Sequence, residues 1–427
     1  MLSSLVNAFK IPELRNKILF TLGILALYRF GAFVPVPGIP FHAFADAMQN
    51  SGGVAMTMLD LFTGGALSNF SVFALGIMPY ITASIIMQLM QGVIPSVNRW
   101  NREGEAGQKK ITQITRWITL VLGLINAVGY LFLFKSSAYG VVFSTEVPEI
   151  LTDILVVFTL VAGTAFIMWM GELITQHGIG NGMSLIIFTS IVAQVPPAIF
   201  SSLTSSADSS WGIAITVVIV AVIICCIPLI VFIERAQRRI PISYAKRVQG
   251  RRVMGGQNTY LPLKVNAAGV IAIIFASCLI YFPAQLAALF NVDWLNIFAN
   301  ALSSGPVNWI LTAVLIVFFC YFYTNMVFNP DETAENLQQN GGFIPGIRPG
   351  RNTVDYIRDS IKHITLPGGL YVACIAVIPS ILFFFSGNQL IQAFGGTSIL
   401  IMIGVALDTM SKVESQLKMY NYDGFFK

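Results

Sequence analysis

The chain has 427 residues, of which 55% are hydrophobic and only 11% charged, with a formal net charge of +5. Its mean hydropathy is +0.73. Those proportions exclude an ordinary soluble protein. Ten strongly apolar segments follow in chain order, at about 17–36, 70–94, 117–135, 150–172, 183–202, 212–233, 267–288, 307–328, 366–385 and 396–411. Each is close to the roughly 20 residues needed to cross about 30 Å of hydrocarbon. In lipid a helix satisfies its own backbone hydrogen bonds, so an all-α polytopic bundle is expected; a β-barrel would show short alternating segments instead.

Ahead of the first segment, Met1–Lys17 is basic and amphipathic, and no small-residue cleavage site follows, so a cleavable signal peptide is not expected. Arg29 is the sole cation inside a span; pairing with another group or snorkelling to the interface would each accommodate it. Residues 58–69 are apolar but too short to span, and Gly64-Gly65 interrupts them. They read either as an outer half-helix dipping into the bundle or as an amphipathic loop. Pro79, inside the second segment, is expected to kink it. Ile77 and Ile81 share one helix face. On the residues alone that face could line a constriction, or equally meet lipid or core. The glycines at 178, 180 and 182, and at 395–396, read first as turns or close helix contacts.

All five cysteines fall within the apolar segments without a CxxC or a His/Cys cluster, which favours packing over metal binding. His42, His177 and His363 are isolated, and no HExxH, GxSxG or Walker A pattern is present. Neither an enzyme nor a metal or cofactor site is expected. The middle thirds of the spans lack Asp, Glu, Lys and His, the groups that ion coupling requires. A passive conduit is favoured over a pump, and it needs a seal; a narrow ring of stiff β-branched side chains can exclude water and ions.

The charges orient the chain. With alternate connections assigned to one side, that side holds 23 of the 25 Lys and Arg residues; the opposite side holds only Lys135, at a helix end. Basic residues beside spans stay in the cytoplasm, which places both termini there. Segment 234–264 alone carries eight, and 329–365 carries Arg348, Arg351, Arg358 and Lys362. The alternation at Ile240–Tyr244 predicts a β-hairpin in the first of these. Such a surface fits an anionic partner such as RNA, an acidic protein face or lipid headgroups, or else a solvated determinant of topology. Five spans on each side of the outer connection 203–211 put the two halves, 1–202 and 212–427, in opposite orientations, the arrangement of an inverted repeat with a pathway at the interface.

Several stretches then resemble one family. Leu61–Gln88, with its Phe-Thr-Gly-Gly-Ala-Leu-Ser-Asn run, Gly171–Ser184, Glu234–Arg239, Leu261–Gly269, Phe328–Leu337 and Gly346–Gly350 are similar, in order and in spacing, to the SecY family of bacterial protein translocases. The resemblance implies ten transmembrane helices in two inverted five-helix halves around a central pore, with a plug half-helix at about 57–69 that includes Phe62, Thr63, Gly64 and Gly65. It places a pore ring on Ile77, Ile81, Ile187, Ile274 and Ile401. A lateral gate between the second and third and the seventh and eighth helices would have Ser84, Gln88 and Asn266 as polar contacts. Partner docking falls on Arg238, Arg239, Arg251, Arg252 and Arg348. In the seventh helix Ala272 stands where the family pattern leads one to expect a proline. The implied function is a protein-conducting channel of the bacterial cytoplasmic membrane that exports unfolded chains and inserts membrane segments. Its implied partners are SecE, SecG, the motor ATPase SecA, the ribosome through its RNA, signal peptides with their preproteins, and membrane lipids. On the residues alone two other classes stay open: a secondary transporter, which would need a mid-membrane carboxylate, and a scaffold or intramembrane enzyme, which would need no pathway or a catalytic dyad.

Overall fold

The computed structural model describes residues 9–37, 60, 63–135, 148–206, 212–244, 247–249, 252–254, 259–266, 268–290, 302, 305–386 and 395–423. Its first half contains α1 (Pro12–Gly31), α2 (Met78–Val93), α3 (Pro95–Arg102), α4 (Glu105–Lys135), α5 (Glu149–His177) and α6 (Gly182–Ser206). The second half opens with α7 (Gly212–Glu234) and continues, after a β segment, with α8 (Ile271–Phe290), α9 (Gly305–Val327), α10 (Pro330–Gln339), α11 (Arg351–Ser386) and α12 (Gly396–Asp423).

Seven of these helical stretches are long and apolar enough to cross a membrane: those built on α4, α5, α6, α7, α9, α11 and α12. The other three expected spans fall short for identifiable reasons. α1 carries Glu13, Arg15, Lys17 and Arg29 within its 20 residues. α2 has only 16 residues. In α8, Ile271–Ile280 is the apolar part described in full. The second span therefore differs from expectation. Residues 64–77 run through turns rather than helix, with Phe70 at φ 39° and Gly76 at φ 57°. The helix starts at Met78, which puts Pro79 in its first turn. There a missing N–H leaves no bond unmade, so Pro79 starts the helix instead of kinking it.

One hydrophobic cluster runs through the bundle and draws on α1, α2, α4, α5, α6, α7, α8, α9, α11 and α12. α8 packs against α9 on one flank and against α4 and α2 on the other. α5 and α6 meet closely at their shared turn, where a Cβ on Gly182 would fall on the Gly171 carbonyl. On the same side, the Arg116 guanidinium of α4 grips the Glu172 carboxylate of α5 with two nitrogens.

The expected hairpin is present, in a longer form. Strands β1 (Gln237–Tyr244), β2 (Arg247–Gln249), β3 (Arg252–Met254) and β4 (Thr259–Lys264) nest, with β1 antiparallel to β4 from Gln237↔Lys264 to Ile242↔Thr259 and β2 antiparallel to β3. The other edge of β1 takes β5 (Gly342–Phe343) from segment 329–365. Beneath this sheet, Ile240, Leu263, Ile344, Ile357 and Ile361 form a separate small core.

Candidate pore and docking surface

Ile77 caps the N-terminus of α2, and Ile81 lies one turn along it. Ile187 is on α6, Ile274 on α8 and Ile401 on α12. All five are buried, from 0% exposed at Ile401 to 9% at Ile274, and all belong to the main cluster. The five thus come from four helices in both halves of the chain and share one buried hydrophobic cluster.

The surroundings of the isoleucines differ on the two sides. On one side lies a cavity of about 380 Å³ lined by Ser184, Glu234, Asn266, Val270, Gly404 and Asp408 among others. Ser184 is three residues before Ile187, Val270 four before Ile274 and Gly404 three after Ile401, so the cavity begins one helical turn from the isoleucines. On the opposite side is the turn that holds Thr63, Gly64 and Gly65. Thr63 is buried, and a Cβ on Gly76, the residue before Ile77, would lie 3.0 Å from its methyl group. Gly64 has φ 70° and Gly65 φ 85°, a left-handed backbone that glycine adopts without a side-chain clash. Phe62 lies outside the described residues, as do residues 57–59 of the expected half-helix; the described part beyond Thr63 is a turn.

The three expected gate contacts do not assemble as one group in the described hydrogen bonds. Gln88 Nε2 donates to Ser84 Oγ at 3.2 Å within α2. Asn266 instead donates to Glu234 Oε1 at 2.8 Å and accepts from Gly269 N at 3.0 Å. It is drawn to the end of α7 because the Glu234 carboxylate is the nearby acceptor and Gly269, at φ 56°, turns its N–H inward. Where α2 meets α8, the Thr82 and Cys278 side chains come within hydrogen-bonding reach of one another.

Arg238 and Arg239 are exposed on β1, opposite Leu263 and Pro262 of β4, and Arg348 is exposed just past β5. Arg251 lies outside the described residues; Arg252 opens β3. Pattern reading missed Tyr28 and Asp60, which bond to Thr63, and Ser190 and Gln194, which bond to Tyr28 and Asp60 in turn. A signal was available: Ser190 and Gln194 are three and seven residues after Ile187, polar groups on the Ile187 face of an apolar helix.

The SecY family model matches residues 71–410. The protein translocase subunit SecY of Mycobacterium tuberculosis is 45% identical over 446 residues, an alignment that covers all of both chains. The chain belongs to the SecY family. Among solved structures, a protein-conducting channel matches with a TM-score of 0.66 at 18% identity, covering 93% of this chain and 91% of that one. Sec61 in the canine ribosome-channel complex from the endoplasmic reticulum matches with a TM-score of 0.62 at 16% identity, covering 93% and 91%. These likenesses bear on the fold alone, and they place the SecY-family bundle among translocation channels in architecture.

Proposed function

We propose that the chain is a protein-conducting channel that exports unfolded polypeptides across the cytoplasmic membrane and releases apolar segments sideways into it. The observation that carries this reading is the origin of the five isoleucines, which come from four helices of both halves and share one buried cluster that also adjoins a polar cavity and the 63–65 turn. With full-length identity to a translocase subunit, that arrangement reads as a cytoplasmic vestibule, a pore ring (Ile77, Ile81, Ile187, Ile274, Ile401) and a plug. The chain works as a passive conduit, not an enzyme.

In this reading α1, α2 and α8 cross the membrane with the seven longer helices, making ten spans in two inverted halves, 1–202 and 212–427. The charge asymmetry puts both termini, the 234–264 and 329–365 connections and the cavity mouth in the cytoplasm. The gate is the seam where α8 meets α2 and α4, with Ser84 and Gln88 along α2 and Asn266 at the base of α8. An apolar segment in the ring gains by moving into lipid: ten leucine-like residues at roughly −0.3 to −0.6 kcal/mol each give roughly −3 to −6 kcal/mol. Export in one direction needs an external push from SecA or a ribosome. Arg238, Arg239, Arg251, Arg252 and Arg348 supply the cationic surface for those partners, and SecE and SecG complete the membrane complex.

The test is reconstitution of the chain with SecE and SecA in vesicles, following protease protection of a signal-bearing precursor. ATP-dependent protection is expected. Its absence, in vesicles that take up a small solute in a saturable way, would replace the channel reading with a transporter.

A further inference from the structure

Among the described residues Arg29, the one cation within the apolar spans, donates to a single carbonyl. Its Nη1 donates to Gly64 O at 2.7 Å, and its guanidinium carbon sits 5.3 Å from the Phe33 ring. The adjacent Tyr28 is 1% exposed; its hydroxyl donates to the Thr63 carbonyl at 3.3 Å and lies 2.7 Å from Ser190 Oγ. From α6, Gln194 Nε2 donates to the Asp60 carbonyl at 2.8 Å. Inside the turn, the Asp60 carboxylate accepts from Ser68 N at 3.0 Å and from Thr63 Oγ1 at 3.2 Å.

Two features follow from this geometry. The turn is one unit folded about Asp60, so it moves as a whole. The described hydrogen bonds that hold it from outside come from Arg29, Tyr28 and Gln194, and each of these donors reaches a backbone carbonyl, Gln194 also the Asp60 carboxylate at 3.4 Å. Gly64 permits the closest of them, because a Cβ there would lie 2.9 Å from Arg29 Nη1 and from Ser190 Cα. A guanidinium held among apolar helices without an acceptor is costly. The turn therefore leaves more readily when something else offers Arg29 an acceptor. An extended polypeptide in the ring offers a carbonyl at every residue.

We propose that Arg29, with Tyr28 and Gln194, forms a latch that holds the 63–65 turn against the isoleucine ring, and that a translocating chain opens it by giving its own backbone carbonyls to the same donors. The proposal rests on the channel reading above. It makes Arg29 a positioning residue in the closed channel and a contact for the peptide backbone of any substrate in the open one, without regard to sequence.

The test uses the full chain with its membrane subunits, in vesicles and planar bilayers, in a background without the five native cysteines and carrying Ser68→Cys as a reporter on the turn. Labelling by a membrane-impermeant maleimide from the outer side reads displacement of the turn. A precursor stalled in the channel is expected to raise the labelling rate, and Arg29→Met is expected to raise it without precursor, with a matching rise in resting conductance. The expected size is roughly 10- to 100-fold, the change that loss of one charge-assisted hydrogen bond corresponds to. Arg29→Lys, which keeps one cationic donor, is expected to return both readouts most of the way. Gln194→Leu removes only a neutral donor and is expected to shift both in the same direction by less; it carries the test if Arg29→Met does not fold. Wild-type labelling and conductance in folded Arg29→Met, or in Gln194→Leu where the former fails to fold, would overturn the latch while leaving the channel reading in place. A wild-type complex that translocates no precursor would overturn the channel reading, and the latch with it.

Discussion

Ser243 of β1 pairs with Phe343 of β5, and Tyr244 with Gly342. These contacts join the basic connections 234–264 and 329–365, which flank the α8–α9 pair, into one sheet. The consequence for docking is mechanical. Load applied at Arg348 passes into β1, through its ladder to β4, and so to the turn that starts α8. In the proposed channel α8 forms one wall of the gate, so the landing surface and the gate are physically continuous.

The small core under that sheet is the place to break this continuity. Ile344 is 3% exposed and packs with Ile240, Leu263, Ile357 and Ile361. Ile344→Asp buries an unpaired carboxylate, a change that costs on the order of 3 kcal/mol or more. The whole core is too small to absorb that locally. Limited trypsinolysis is expected to cut sooner after Arg351 in the variant, with the membrane bundle left intact. Cleavage at the wild-type rate would mean the two connections are anchored independently.

Arg348 is exposed at the tip of this structure, and no described ion pair holds it. Arg348→Glu reverses the charge without touching the core, so the fold is expected to tolerate it within about 0.5 kcal/mol. Motor-driven export, read as ATP-dependent protease protection, is expected to fall severalfold, and ribosome-coupled membrane insertion to persist. Equal loss of both activities would place the defect in folding and remove Arg348 from the docking surface.

How much of this was legible beforehand depended on the kind of signal. The main apolar runs and their basic flanks are compositional, and α4 to α7, α9, α11 and α12 lie where those runs predicted. Pro79 was misread because a proline at a helix start and one in a helix interior look alike until the preceding turns are seen. Here Phe70 and Gly76, both at positive φ, end the preceding segment and leave Met78 to open α2. β5 has two residues, too few to show any period. The resemblance names Asn266 as a gate contact, but not its hydrogen bond to Glu234, which lies 32 residues away. Gln194 and Asp60 are separated by 134. Contacts at such separations leave no local pattern, so the holds on the 63–65 turn emerge only from the fold.

Sealing by the isoleucines predicts a graded response. Ile187 and Ile401 are 2% and 0% exposed, and truncating such side chains costs roughly 2–5 kcal/mol each where the surroundings cannot collapse. Ile81→Gly, Ile187→Gly and Ile401→Gly in combination are expected to raise resting ion conductance severalfold in planar bilayers. Ile187→Val, which keeps the β-branch and removes one methyl group, is expected to stay near the wild type. Unchanged conductance in a folded triple variant would take these residues out of the seal.

The seam between α2 and α8 carries the sharpest prediction, because half of the reagent is native. Cys278 is 8% exposed and within hydrogen-bonding reach of Thr82. A thiol at position 82 therefore falls within reach of the Cys278 sulfur, where a bond of about 2.05 Å can form if the Cβ atoms are roughly 3.8 Å apart. Thr82→Cys, with Cys225, Cys226, Cys320 and Cys374 replaced by alanine, is expected to form this bond under mild oxidation and to tie α2 to α8. If apolar segments leave between these helices, the oxidised channel is expected to lose membrane insertion and signal-dependent export, and reduction is expected to restore both. The same variant with Cys278→Ala cannot form the bond, so it separates locking from the effect of oxidant alone. Normal insertion through a channel shown by gel shift to be fully oxidised would place the lateral exit at another seam of the bundle.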